Sequence, residues 1–236
     1  MKGASAVIVA AGRGERLGSA KQFLPLGDIP LLQWSVRTLG GHPGVGEIIV
    51  VLPADCVAEP PAWLMASSVR CCAGGESRRE SAGAGVLATD PGAEFILIHD
   101  AARPFVSRGV IDRVLAGVPQ TGAVLPVLPV VDTIKRTEGG LVVGTVARSG
   151  LGRAQTPQAF EAPLIRSLHA RASEAGSTAS DDAALCEEQG QPVSVVDGDP
   201  WNLKITTPAD LDLARWLVES GRKRVPPPWS VAGGPL

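Results

Sequence analysis

The chain alternates short, unbroken apolar runs with amphipathic stretches of helical period, and this alternation leaves it few folds. The runs are Ala6–Ala10, Glu47–Leu52, Ser68–Cys72, Phe95–His99, Ala123–Val127 and Pro192–Val196, rich in Val and Ile. Continuous rather than alternating hydrophobicity is the pattern of strands buried on both faces. Between and after them lie helical stretches: Leu31–Leu39, Ser77–Ala88, Arg108–Ala116, Pro163–Ala175, Asp181–Gln189 and Pro208–Ser220. Thr207 is the expected N-cap of the last, with Pro208 at its first helical position. The order predicts an α/β fold, a Rossmann-like, mostly parallel sheet flanked by helices and joined by right-handed crossovers.

One segment breaks the rhythm. Val130–Ala147 holds two β-rich runs around Glu138-Gly139-Gly140, which reads as a hairpin. Placed between a core strand and a core helix, it should project and expose apolar side chains, so it is expected to be a homodimerisation arm over about 130–148. A hairpin folded back on its own sheet is the other reading. The expected division is a single domain over 1–221 with a flexible tail over 222–236, where Pro226-Pro227-Pro228 and Gly233-Gly234-Pro235 fall.

Composition narrows the function. A net charge of −2 over 236 residues argues against a broad basic field for nucleic acid. No apolar run approaches the length of a membrane span, and the N-terminus lacks a signal-peptide pattern, so a cytoplasmic location is expected. The cysteines (Cys56, Cys71, Cys72 and Cys186) show no metal-binding spacing and read as small apolar side chains. Gly and Pro, at 28 and 20 residues, exceed ordinary usage. They fall in turns beside the motifs below and in the tail.

Three segments carry chemistry. The first run ends in Ala10-Ala11-Gly12 and continues through Arg16 to Lys21. Small residues at a strand's carboxyl end let backbone N–H groups approach a phosphate. Leu17 stands where a dinucleotide fingerprint needs its third glycine, and no Gly-Lys-Ser/Thr is present, so neither standard loop fits. A loop carrying its own cations for a polyphosphate is the remaining functional reading, against a plain basic surface loop. Gly74-Gly75-Glu76 followed by Ser77–Ser81 permits close backbone approach to a flat base, although such turns are common. His99-Asp100-Ala101-Ala102-Arg103 ends a buried run in a carboxylate that can hold Mg²⁺ or cap the next loop; His99 reads as a packing or orienting residue. Ser180 is the expected N-cap of the helix that follows it. The five lysines are Lys2, Lys21, Lys135, Lys204 and Lys223, and three of them fall inside motifs.

Seven segments in order resemble the 2-C-methyl-D-erythritol 4-phosphate cytidylyltransferase family, from about Ala4 to Val218: AAGRGERLGSAKQ, GGESRRES, HDAARP, VDTIKR, TVARSGL with QTPQAF, SDDA and NLKITTPADL. The resemblance implies CMP transfer from CTP to 2-C-methyl-D-erythritol 4-phosphate, releasing pyrophosphate, in the non-mevalonate isoprenoid pathway. It implies Mg²⁺, or another divalent cation, held by Asp100. Ala10, Ala11, Gly12, Gly75, Glu76, Ser81, Asp100 and Ala101 would line the nucleotide site. Arg16, Lys21 and Lys204 would be catalytic. Asp100, Arg103, Thr156, Ser180 and Lys204 would line the acceptor side, and Thr133 and Arg148 would reach the acceptor phosphate in the other subunit. Departures from the family pattern are Ser180 for Thr, Trp201 where some members carry an acid, and Glu76 for Asp. A ribitol 5-phosphate cytidylyltransferase shares most of these motifs and is the alternative. A sugar-nucleotide uridylyl- or thymidylyltransferase is disfavoured by HDAARP and the short chain, and a NAD-binding reductase by Leu17. A non-catalytic nucleotide-binding subunit would be expected to lack Lys21, Asp100 or Lys204.

Overall fold

A computed structural model describes residues 3–12, 21–65 and 69–228. Strand β1 (Ala4–Val9) leads, after the undescribed residues 13–20, to a 3-10 turn (Lys21–Phe23), a small hairpin of β2 (Pro25–Leu26) and β3 (Ile29–Pro30), and helix α1 (Leu31–Gly40). Then come β4 (Val45–Leu52), the one-turn helices α2 (Ala54–Val57) and α3 (Ala62–Met65), β5 (Arg70–Ala73), α4 (Arg78–Ala88), β6 (Phe95–Asp100), α5 (Arg108–Thr121) and β7 (Ala123–Pro129). The second half holds β8 (Ile134–Glu138), β9 (Leu141–Val146), β10 (Gly152–Ala154), β11 (Gln158–Glu161), α6 (Ala162–Ala175), α7 (Asp182–Glu188), β12 (Ser194–Asp197) and α8 (Pro208–Glu219). Every run expected as a strand and every stretch expected as a helix is present. The ends differ by a few residues, and Ser68 lies outside the described residues. Helix α5 runs past its expected end at Ala116, carries Pro119 in its last turn and is closed by left-handed Gly122 (φ 79°).

The strands form one curled, mostly parallel sheet. β5, β4, β1 and β6 run parallel side by side. β11 inserts antiparallel between β6 and β7, and β12 lies parallel to β7. Val124 pairs with Ala159 of β11 and Ser194 of β12, while Val127 pairs with Ala154 of β10 and Asp197 of β12. β10 and β11 therefore lie end to end on the same side of β7, with β12 on its other side. The register slips by two residues between them, at Gln155-Thr156-Pro157, where the Thr156–Pro157 bond is cis. This bulge pushes Thr156 off the β7 edge toward the end of β6.

Two apolar layers follow from the buried strands. Ile8, Val50 and Leu97 pack against α1 and α5 on one face. Val7, Ile49, Val51, Ile96 and Ile98 pack against α4, α6 and α7 on the other. A third cluster, around Trp34, Phe105 and Leu217, seats α8 across the end of α1. Thr207 caps α8 in a reciprocal box with Asp210, as expected. Residues 222–228, expected as the start of a flexible tail, contact the body: the Pro226 carbonyl accepts from Arg37 at 3.0 Å, and Val225 packs on the third cluster. Residues 229–236 lie outside the described residues.

The hairpin expected over 130–148 is present as a separate two-stranded sheet of β8 and β9. Gly139 (φ 54°) and Gly140 (φ 81°) form its turn, both left-handed as a two-residue hairpin turn of this kind requires. It does not lie directly between a core strand and a core helix. It extends from the β7–β10 pair, and β10 and β11 intervene before α6. Leu141, Val142 and Val143 are 72%, 63% and 53% exposed, so the arm is not folded back on its own sheet.

Helix α4 lies unusually close to the sheet. A Cβ on Gly85 would stand 2.3 Å from Val7 Cγ1 and 2.7 Å from Val51 Cγ2, both in buried strands. Alanine would gain about 1 kcal/mol of helix propensity, but overpacking a tight core costs roughly 1–3 kcal/mol. Gly85→Ala is therefore expected to be net destabilising and to lower Tm by several degrees in a thermal melt.

Candidate active site

Strand order reverses at β1. From it the chain steps outward to β4 and β5, then returns to β6 on the opposite side. In an open α/β sheet the crevice beyond the strands' carboxyl ends at such a point is where ligands bind. The cleft found there is lined by Ala10, Ala11 and Gly12 after β1, by Gly75, Glu76 and Ser77 before α4 with Arg78 and Ser81 on it, and by Asp100, Ala101 and Ala102 at the end of β6. Gln22 and Lys204 complete the wall. All the residues expected to line the nucleotide site are thus brought together, with Lys204 beside them. Arg16 lies outside the described residues, as does the side chain of Lys21.

The Gly74-Gly75 turn has a steric reason. A Cβ on Gly74 would lie 2.3 Å from Ala11 Cβ and 2.7 Å from Ser81 Oγ. The β1 loop and the start of α4 can approach this closely only with glycine there. Helix α4 starts at a capping box in which Ser77 accepts from the Glu80 N–H and Glu80 accepts in return. Glu80 Oε2 also accepts from the Glu76 N–H at 2.8 Å, which fixes the turn.

Asp100 is the electrostatic centre. Its Oδ1 accepts from Arg78 Nε at 2.9 Å and its Oδ2 from Lys204 Nζ at 2.7 Å. Burial would raise its pKa, but Arg78 and then Lys204 outweigh that and hold the carboxyl well below the usual carboxylate range. Arg78 turns its Nη1 to Asp182 Oδ2 at 2.9 Å, and the two carboxylates together raise its pKa above the ordinary arginine value despite burial. Asp182, 1% exposed, also accepts from His169 Nε2 at 3.1 Å. Its position differs from the expected helix start. Asp181, not Ser180, is the N-cap of α7 and accepts from the Ala184 N–H, because the helix begins one residue later. Ser180 is left exposed before the cap, and Asp182 becomes the first helical residue, turned inward.

Behind Asp100, the backbone is locked by a chain of three hydrogen bonds. The Asp100 N–H donates to Thr156 Oγ1 at 3.0 Å, and Thr156 Oγ1 lies 3.1 Å from His99 Nδ1. His99 Nε2 lies 3.1 Å from the Arg103 carbonyl, which can only accept. Nε2 therefore carries the proton, and Nδ1 accepts from the Thr156 hydroxyl. This agrees with His99 as an orienting residue; burial pushes its pKa down to about 4, so it is neutral near pH 7. Arg103 donates to the carbonyls of Asn202 at 2.8 Å and Ala154 at 3.2 Å. Fully buried Asn202 donates to the Thr156 carbonyl at 2.8 Å. These ties bind the β10–β11 bulge to the Asn202–Lys204 segment and so place Lys204.

Thr133 and Arg148 do not line the cleft of their own chain. Both are exposed at the base of the arm, where Arg148 donates to the Val131 carbonyl. In the sequence Arg78, Gln22 and Asn202 carry no signal of a role, and Asp182 reads as a first-turn carboxylate of the helix after Ser180. Arg78 was legible only as part of the GGESRRES segment; nothing local marks Asp182 as its partner 104 residues away.

The group a Mg²⁺ ion would need is present in limited form. Asp100 is an ionised carboxylate facing the cleft, with lone pairs remaining on both oxygens. Among the described residues no group of three or more His, Cys, Asp or Glu converges. This donor set suits an ion that takes most of its ligands from substrate phosphates and water, as Mg²⁺ commonly does. Also among the described residues, no helix is long and apolar enough to cross a membrane.

The model of the family described as 2-C-methyl-D-erythritol 4-phosphate cytidylyltransferase matches residues 4–220. A Nocardia farcinica protein of that name is 44% identical over 220 residues, covering 91% of this chain and 93% of the relative. A Dinoroseobacter shibae protein named "Bifunctional enzyme IspD/IspF" is 42% identical over 93% of this chain but 54% of the relative, so the chain spans about half the length of that bifunctional relative. Among solved structures, the enzyme of the former name from Thermus thermophilus aligns with a TM-score of 0.77 at 39% identity, covering 89% and 96% of the two chains. A 4-diphosphocytidyl-2C-methyl-D-erythritol synthase from Anaerococcus prevotii aligns with a TM-score of 0.82 at 29% identity, covering 92% and 96%.

Burying neutral His99 makes stability depend on pH. The unfolded chain binds a proton below about pH 6.5, whereas the folded protein resists it until about pH 4. Stability present above pH 6.5 is therefore lost as the pH falls toward 4, by about 3 kcal/mol at most for this group. The lowered carboxylates add their own loss only below the ordinary carboxylate range. Denaturant melts from pH 7 to 4.5 should show this decline in the wild type, and His99→Gln should flatten it whatever its stability at pH 7.

Proposed function

The chain belongs to the 2-C-methyl-D-erythritol 4-phosphate cytidylyltransferase family, and on that footing we propose that it transfers CMP from CTP to 2-C-methyl-D-erythritol 4-phosphate, releasing pyrophosphate. The observation that carries this reading is the family match across residues 4–220, which takes in every element of the cleft. The relatives' names favour this acceptor over ribitol 5-phosphate.

In this reading the cytosine ring lies against the Gly74–Glu76 turn and Ser81, and the triphosphate crosses Ala10–Gly12 at the end of β1. An oxygen of the acceptor phosphate bonds to the α-phosphorus of CTP while the bond from that phosphorus to the pyrophosphate oxygen breaks. The attacking phosphate is already ionised near neutral pH, its second pKa being about 6, so no strong base is needed. The barrier lies in bringing two anions together, and catalysis is positioning plus charge neutralisation. Arg16, Lys21 and Lys204 supply the positive charge. Asp100 would hold a Mg²⁺ ion, which when bound supplies further positive charge to the phosphates.

The acceptor side is assigned to Arg103, Thr156, Ser180 and Lys204, with Asp100 at the boundary. Thr133 and Arg148 are assigned to the partner subunit's acceptor phosphate. The exposed apolar side chains of β9 support a homodimer formed through the arm. In this reading the reaction takes place in the cytoplasm, and residues 1–221 with their arm act as one catalytic domain.

Pyrophosphate release from 2-C-methyl-D-erythritol 4-phosphate should require CTP and should fail with ATP, GTP and UTP; ribitol 5-phosphate should turn over poorly. No release with CTP would end this reading. Lys21→Ala should raise the barrier by about 3–4 kcal/mol, the usual cost of one preorganised donor, with CTP affinity nearly unchanged. A kcat within threefold of wild type would remove Lys21 from the transition state.

A further inference from the structure

Asp100 is gripped by two cations that are anchored very differently. Lys204 is the more open, with 40% of its side chain exposed, and Asp100 is its ion-pair partner among the described residues. Arg78 is 26% exposed and is tied at both ends, by Nε to Asp100 and by Nη1 to Asp182. Asp182 is itself immobilised. Its Oδ1 accepts from His169 Nε2 at 3.1 Å, and its N–H donates to Gln158 Oε1 at 3.1 Å, on a strand of the central sheet.

A carboxylate with 1% of its side chain exposed is costly to bury, and Asp182 does not line the cleft itself but meets it through Arg78. What it does is fix one edge of the Arg78 guanidinium so that the other edge meets Asp100. Resting on the reading above, in which Lys204 serves a substrate phosphate, we propose that Arg78, braced by Asp182 and His169, is a positioning residue that keeps the Asp100 carboxylate in place when Lys204 turns to the substrate. Without the brace Lys204 would be the one ion-pair partner left to Asp100 among the described residues. It would then stay paired there, and its charge would be withheld from the phosphates. Two anions and two cations share one line, Asp182–Arg78–Asp100–Lys204, so releasing Lys204 leaves Asp100 still paired with Arg78 and one net negative charge on the remaining three groups.

The test uses Asp182→Asn, which keeps the shape and removes the charge, with Arg78→Lys, which can reach only one of the two carboxylates. The double variant Arg78→Met with Asp182→Asn removes both buried charges together, in case the single change folds poorly. Each is measured for Tm, for kcat and KM in pyrophosphate release, and for Mn²⁺ binding in the presence of CTP by electron paramagnetic resonance. The expected result is a kcat reduced tenfold or more and Mn²⁺ binding weakened at least threefold. KM for CTP should stay within threefold, Arg78→Lys should fall between wild type and the double variant, and Tm differences should not track the loss. Variants whose kcat and Mn²⁺ binding stay within twofold of wild type, or whose losses follow the unfolded fraction, would overturn the proposal. Absence of turnover in the wild type would overturn the functional reading instead, and unchanged Mn²⁺ binding by the variants would still overturn the brace.

Discussion

A buried carboxylate at the end of a central strand is the constraint on which the rest of this site depends. Asp100 ends β6, beside the first strand of the sheet, and an unpaired charge there would be too costly to keep. The protein answers from two directions. Arg78 comes from the first turn of α4 and Lys204 from the segment before α8, on opposite sides of the chain's path. Meeting both conditions fixes where α4 begins and where the Asn202–Lys204 segment must lie.

That requirement explains features that look incidental. The two-residue slip between β10 and β11 delivers Thr156 to the Asp100 backbone, where its hydroxyl links to His99. Arg103 and Asn202 tie that bulge to the Lys204 segment. Close packing of glycine against Ala11 and Ser81 brings the α4 start within reach of the β1 loop. The backbone after β1, the turn before α4 and the cationic wall thus converge through one set of ties.

Much of this was legible in the sequence because the signals are local. Unbroken Val/Ile runs marked the six principal strands, Gly-Gly between two β-rich runs marked the arm, and Thr207-Pro208 marked the last helix. The cleft's backbone-lining residues were legible because small residues after a strand have few other uses. The illegible parts are those set by long-range pairing. β10 and β11 are short and mixed in composition and become strands only by pairing with β7 and β6. The choice of Asp181 over Ser180 as a cap turns on a one-residue difference that places Asp182 inward. The Arg78–Asp182 contact joins two helices distant in the chain, and no spacing rule reaches across that gap.

In the proposed function, charge balance around Asp100 defines the nucleotide site at the β1–β6 crevice. A crystal structure with CTP and Mn²⁺, phased to show the metal's anomalous signal, tests it most directly. The expected result is one anomalous peak within bonding distance of the Asp100 carboxylate, with the triphosphate over Ala10–Gly12 and the base against Gly75. A metal distant from Asp100, or a nucleotide bound outside this crevice, would contradict it.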